Sequence, residues 1–356
     1  MSEKNDSRNV IGRFRYMNQQ AVNLDGFASP APDLGLIAFH GPNDPAPSIT
    51  LVDGRVTEMD GKKETDFDAI DEFISRHGID ISIAEQAMAT DSLEFARRLV
   101  NPDVPRNELV RLAAGMTPAK LTEILACLNA AELVMAMTKL RARRTPSNQA
   151  HVTNRSDDPL LLAADAATAV AFGFREIETT VPVLADAPSN ALAVSIGAAV
   201  GSPGVLVQCS VEEAAELAMG MRGLVSYAET VSLYGTEQIF SDGDDTPWSK
   251  AFLTSAYASR GIKMRVTSGG GAEALMGGSE QCSMFYLESR CVALARAIGA
   301  QGVQNGGIDS AAVAGSVSGG VRSLMAENVM VMLRNLEACT GNDALMSESD
   351  VRRTSR

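Results

Sequence analysis

"RRTPSNQAHVTN", Arg143 to Asn154, is where the chain changes character. Upstream, "AKLTEILACLNAAELVMAMTKLRARR" from Ala119 to Arg144 carries long apolar stretches and ends in Arg141, Arg143 and Arg144, cations that suit the negative end of a helix. It starts behind Thr117-Pro118, a capping hydroxyl followed by proline in the first turn. Downstream the pattern becomes extended. Along a strand, side chains alternate, so Gln149 and His151 share one face. Two polar groups on one strand face must be satisfied. Either they pair with each other and with backbone, or they address a ligand.

From this point short extended pieces alternate with helical ones. The extended candidates are "QAHV", "EIETTVPV", "GVLVQC", "YAETVSL", "KMRVTS" and "GVQN". The helical ones are "LLLAADAATAVAFGF", "VEEAAELAMGMRG", "PWSKAFLTSAYASRG", "SMFYLESRCVALARAIG" and "GVRSLMAENVMVMLRNL". Such alternation implies parallel strands joined by helical crossovers. The number of units favours an α/β fold of the (β/α)8 TIM type over a flat doubly wound sheet. The barrel is expected over residues 117–356, incomplete at its C-terminal end, behind an N-terminal arm and helical region at 1–116. In that first region, "SITLVDG" and "RVTEMDG" read as a hairpin. "TDFDAIDEFISRHG", "SIAEQAMA" and "DSLEFARRLV" read as helices.

Composition limits the function classes. The chain of 356 residues has a net charge of −13, which disfavours nucleic acid and anionic membrane surfaces as partners. Five cysteines, Cys127, Cys209, Cys282, Cys291 and Cys339, form no CxxC pair and read as reduced cytoplasmic thiols. The most apolar tract, "NALAVSIGAAVG", is much shorter than the roughly 20 residues that span a bilayer. The polar start "MSEKNDSRNV" lacks the apolar core of a signal peptide. A cytoplasmic location is the expectation.

In a β/α barrel the chemistry sits at the carboxyl ends of the strands. Gln149 and His151, Glu178 in "REIETT", Glu229 in "SYAETVS", Gln304 in "GVQNGG" and Asp343 in "CTGNDAL" are the polar residues at such places. Glu178, Glu229, Gln149 and Gln304 offer hard oxygen ligands, suited to an alkali or alkaline-earth cation and not to zinc. His151 exchanges protons near neutral pH, and Asp343 can accept a hydrogen bond from a hydroxyl. The set fits a polyol held on a cation. Each residue also has a structural alternative: a satisfied strand-end histidine, glutamates that cap helices or pair with arginines, a turn-shaping Gln304, and an N-cap for Asp343. The glycines of "TSGGGAEALMGG", Thr267 to Gly278, present amides to a phosphate, admit a large flat ligand, or make a sharp turn. "DDTPWSK" starts a helix with Thr246 as cap and Pro247 in its first turn.

Long strings in order extend the reading. "RARRTPSNQAHVTN", "EIETTV", "YAETVSLYGTE", "SDGDDTPWSKAFLTSAYASRG", "TSGGGAEALMGGSE", "GVQNGG" and "SDVRRTSR" together resemble the large subunit of adenosylcobalamin-dependent diol/glycerol dehydratases. "NDPAPSITLVDGRVTEMDGK" and "MTPAK" extend the likeness toward the N-terminus. The resemblance implies a hydro-lyase that turns a vicinal diol, 1,2-propanediol or glycerol, into an aldehyde by a radical mechanism. It implies adenosylcobalamin over the barrel mouth and K+ or Ca2+ inside. Gln149, Glu178, Glu229 and Gln304 would ligate the cation. His151 and Glu178 would handle the migrating hydroxyl, and Asp343 would hold a substrate hydroxyl. Ser210, Thr230, Ser232 and Asp242 would face the corrin. Implied partners are medium and small dehydratase subunits and a reactivating factor, with a bacterial microcompartment as one setting.

Three departures from the family pattern stand out. The chain stops at Arg356, soon after Asp343, so an open wall with two free strand edges and a further polypeptide supplying the barrel end are expected. Asp309 stands where the family usually has a serine, and Leu275 where diol-type members often have a glutamine. A non-catalytic or split scaffold subunit of the same family is the alternative that these departures keep open.

Overall fold

The computed structural model describes residues 41–141, 148–153, 164, 167, 171, 176–181, 205–209, 230–233, 246–259, 265–268, 282–305 and 317–342. Its first element is the hairpin expected from the sequence. β1 (Ile49–Val52) and β2 (Arg55–Met59) pair antiparallel, and β3 (Lys62–Lys63) adds a short third strand. Both turns are Asp-Gly pairs with positive φ, Asp53 at 49° and Gly54 at 73°, then Asp60 at 49° and Gly61 at 77°. This is the two-residue turn whose twist matches that of the flanking strands.

A layer of short helices follows. α1 (Ala69–Phe73) is capped by Asp68, whose carboxylate accepts from the Asp71 amide, and runs into a π-helical turn at Ile74–Gly78. α2 (Ala84–Ala89) and α3 (Ser92–Val100) follow, the latter capped by Asp91. α4 (Arg106–Ala114), which the sequence reading did not single out, starts directly behind Pro105. α5 (Pro118–Ala126) has the expected Thr117 cap, accepting from the Lys120 amide, with proline in the first turn. The apolar run that continues to Arg144 is broken, however. Asn129 and Glu132 form a capping box that starts a new helix, α6 (Ala130–Leu140). The side chain of Asn129 competes for backbone groups and so favours a helix start over a helix interior.

From Asn148 onward the strands are parallel: β4 (Asn148–Thr153), β5 (Glu176–Val181), β6 (Val205–Cys209), β7 (Thr230–Leu233), β8 (Arg265–Ser268), β9 (Gly302–Asn305) and β10 (Glu337–Asn342). They hydrogen-bond in a closed ring in chain order, with β10 returning to β4. β10 pairs through Thr340–Asn342 with β4 on one side and through Glu337–Thr340 with β9 on the other. That strand, "EACTGN", was absent from the sequence-derived set. The described helices of this region are α7 (Pro247–Ser259), α8 (Met284–Ala297) and α9 (Val317–Leu333).

One buried apolar cluster runs through both regions, from Val56 and Met59 through Leu121 and Leu133 to Val266, Val303 and Ala338. α5 packs on α8 and α6 on α9. Arginines lock the two layers by satisfying carbonyls that the helix ends leave open. Arg322 donates to the Ala126 and Leu128 carbonyls at 2.9 and 2.8 Å. Arg334, fully buried, donates to Ala113 and Met116 beyond α4 at 3.0 and 2.8 Å. Arg106 reaches the Leu140 carbonyl at the end of α6 and the side chain of Asn335. Burial, and then the nearby Arg296, push Arg334 down to about 9. Arg290 of α8 is ion-paired with Asp68 and Asp71 of the α1 start, and Lys62 reaches Asp71 at 2.7 Å.

Candidate active site

The strand starts are set by helix stops. α8 ends in a left-handed residue, Gly299 at φ 85°, with Ala300 N–H donating to the Ala295 carbonyl. α9 ends the same way at Asn335, φ 61°, with Leu336 N–H donating to Val331. These are Schellman stops. Each hands the chain to a strand within three residues, β9 at Gly302 and β10 at Glu337, and the Glu337 amide donates to the Gln301 carbonyl at 2.9 Å.

The parallel register then relates the candidate residues. His151 on β4 is paired with Glu178 on β5, and Gln149 on β4 with Gly341 on β10. Neighbouring strands lie about 4.8 Å apart, so His151 and Glu178 occupy adjacent places on the ring. Glu178 precedes by two residues Thr180, which starts a row running Thr180, Gln208, Thr230, Arg265, Gly302, Glu337. One pleat further along, Ser232, Thr267, Gln304 and Cys339 form the next row. Gln149, His151, Glu178, Thr230, Ser232 and Gln304 therefore fall in a single alternation class around the ring. The opposite class contains Val266, Val303 and Ala338, which are buried in the core with residues of α8 and α9. The candidate residues hold register positions of the other class.

Glu229, Ser210, Asp242, Asp343, Asp309 and Leu275 lie outside the described residues, as does most of "TSGGGAEALMGG" after Ser268. The Thr246–Pro247 helix start is present: Thr246 and Ser249 each accept from the other's amide, at 3.1 and 2.9 Å. Among the described residues no group of three or more His, Cys, Asp or Glu side chains is placed to hold a metal. No described helix is long and apolar enough to cross a membrane.

Sequence reasoning missed one element of the site's foundation. The Arg265 guanidinium meets the Glu337 carboxylate at 3.3 Å, joining the first residues of β8 and β10 across β9. Between them lies Gly302, where an added Cβ would stand 2.7 Å from the Glu337 carbonyl oxygen, 3.1 Å from Glu337 Cβ and 3.3 Å from Arg265 Cγ. The pair joins residues 72 apart in the chain, so no local pattern announces it. The legible part of the signal is a glycine at the first position of a strand, a place where another group comes close.

Residues 10–356 match the family model described as dehydratase large subunit. The chain is 54% identical over 344 residues, 97% of its length, to the glycerol dehydratase large subunit of Citrobacter freundii, and spans 62% of that relative's length. By this match along almost all of its length, the chain belongs to the dehydratase large subunit family.

Proposed function

We propose that the chain is the catalytic large subunit, or the greater part of it, of a hydro-lyase that converts a vicinal diol, glycerol or 1,2-propanediol, to an aldehyde. The observation that carries this reading is the single register class shared by Gln149, His151, Glu178 and Gln304, which gives chemically matched residues a common face on one ring. The architecture proposed for the region from β4 onward is a (β/α)8 TIM-type barrel. The described strands supply seven positions, and an eighth strand would replace the β10–β4 pairing, the one between strands not consecutive in the chain.

The oxygen-only set Gln149, Glu178 and Gln304, with Glu229, suits K+ or Ca2+, hard cations that take carboxylate and amide oxygens. Adenosylcobalamin, when bound, supplies the radical that removes a hydrogen atom from the hydroxyl-bearing carbon. The chain's own residues do the rest. Glu178 and His151, on paired positions, hold the hydroxyl that moves and exchange its proton. Asp343, next after the last residue of β10, anchors the other hydroxyl by accepting its hydrogen bond. Thr230 and Ser232 on β7, with Ser210 and Asp242, contact the corrin. Holding the diol in one orientation confines the reaction to a single path, which is the protein's main contribution in cofactor chemistry.

Companion medium and small subunits and a reactivating factor are the proposed partners, in the cytoplasm or within a microcompartment. The test is aldehyde formation from glycerol and from 1,2-propanediol by the chain assembled with its companion subunits. Aldehyde that requires adenosylcobalamin and a K+ or Ca2+ salt is expected. Complete assembly with bound cofactor and no aldehyde from either diol would favour a scaffold subunit instead.

A further inference from the structure

We propose that Arg265, Gly302 and Glu337 form a positioning floor one pleat before Gln304, setting the height of that residue on β9. The proposal rests on Gln304 being a cation ligand and adds the device that holds it. Arg265, Gly302 and Glu337 are register partners at the first positions of β8, β9 and β10. Thr267, Gln304 and Cys339 are the next row of the same class. Two residues of parallel strand rise about 6.6 Å, so the floor lies one pleat below Gln304.

Three features make this row a fixed reference. The Arg265–Glu337 ion pair at 3.3 Å joins the two strands that flank β9, with the Arg265 side chain 10% exposed. Gly302 has no room for a Cβ, because the Glu337 backbone oxygen and the stems of both charged residues close over it. The Glu337 amide is tied to the Gln301 carbonyl just before β9. Backbone atoms cannot yield as a side-chain tip can, so any side chain at position 302 must displace β9 against β10. Gln304 would move with it. A displacement of about 1 Å in a site built on orientation is enough to change rate and affinity by about tenfold or more.

The experiment is calorimetric titration of the assembled complex with KCl and with CaCl2, together with kcat and KM for 1,2-propanediol. Gly302→Ala is compared with Gly115→Ala, a steric insult of similar size in the helical layer, where the added Cβ meets Ile83 and Ala84 at 2.9–3.0 Å. Gly302→Ala is expected to raise the cation Kd at least tenfold and to raise KM. Gly115→Ala is expected to lower thermal stability while leaving both within about twofold. If Gly302→Ala does not assemble, the comparison passes to Arg265: Arg265→Met is expected to weaken cation binding, and Arg265→Lys to recover most of it. Cation affinity unchanged in Gly302→Ala, or equally weakened by Gly115→Ala, overturns the proposal. So does an Arg265→Met protein with wild-type affinity. Gln304→Ala separates the two levels: unchanged cation affinity in that variant sinks the ligand assignment itself, whatever Gly302→Ala does.

Discussion

Replacing Asp60 with asparagine should make the protein more stable above pH 7 and leave it nearly unchanged near pH 4. Asp60 lies in the second Asp-Gly turn, 3% exposed, and accepts the Ala119 amide at the start of α5 through Oδ2 at 2.9 Å. Its other oxygen, Oδ1, is buried with no hydrogen-bond partner among the described residues. Burial pushes the carboxyl up from 3.8 to about 7, while the Thr117 hydroxyl and the Ala119 amide oppose the rise. A folded-state pKa above the unfolded one means that the folded protein retains a proton the unfolded chain has lost. Stability from this group is complete below about pH 4 and declines as pH rises to about 7, then stays level. A shift of about three units corresponds to a ceiling of ~4 kcal/mol at 1.36 kcal/mol per unit. Asparagine keeps an acceptor for Ala119 and carries no charge. The assay is urea unfolding of wild type and Asp60→Asn from pH 4 to 8.5. The stability difference should grow by about 1–4 kcal/mol in favour of Asp60→Asn between pH 4 and 7. A difference that is flat with pH, or that favours wild type at pH 8, would refute the reasoning.

Arg334→Met should destabilise by about 2–5 kcal/mol, because the Ala113 and Met116 carbonyls each lose a donor in a buried site. Chemical denaturation measures it, and a loss under 0.5 kcal/mol would show that water or a shifted helix end replaces the guanidinium. Gly115→Ala should cost about 1–3 kcal/mol, since its Cβ would meet the backbone of Ala84 as well as the Ile83 side chain. Asn335→Ala should be destabilising by about 1 kcal/mol or more, because alanine tolerates φ of 61° less well than asparagine and the Arg106 contact is lost. A thermal midpoint equal to wild type would contradict that.

Much of the fold was legible where a residue type has one backbone consequence. The Asp-Gly pairs at 53–54 and 60–61 make the turns they announce, and Thr117-Pro118 and Thr246-Pro247 start helices. Six of the parallel strands coincide with extended runs read from the sequence. β10 was not read, because "EACTGN" lacks the β-branched density of the other strands and contains a glycine. Its start is marked by Asn335, a less frequent left-handed stop than the glycine at 299 that ends α8. The break at Asn129 was hidden inside a continuous apolar run, where local capping chemistry overrode periodicity. For the site, strand-end position and side-chain chemistry were readable, and the register supplies what they lacked: which residues share a class. The Arg265–Glu337 floor is a tertiary contact, visible only once β8, β9 and β10 are side by side.

The central claim is that residues of one register class act on one diol, with Glu178 serving both cation and hydroxyl and His151 the hydroxyl alone. The most direct test measures aldehyde formation and cation affinity together in assembled wild type, His151→Ala and Glu178→Gln. His151→Ala is expected to lose about 100-fold or more in turnover with cation affinity nearly unchanged, whereas Glu178→Gln loses both. Full turnover in His151→Ala, or unaltered cation binding in Glu178→Gln, would contradict it.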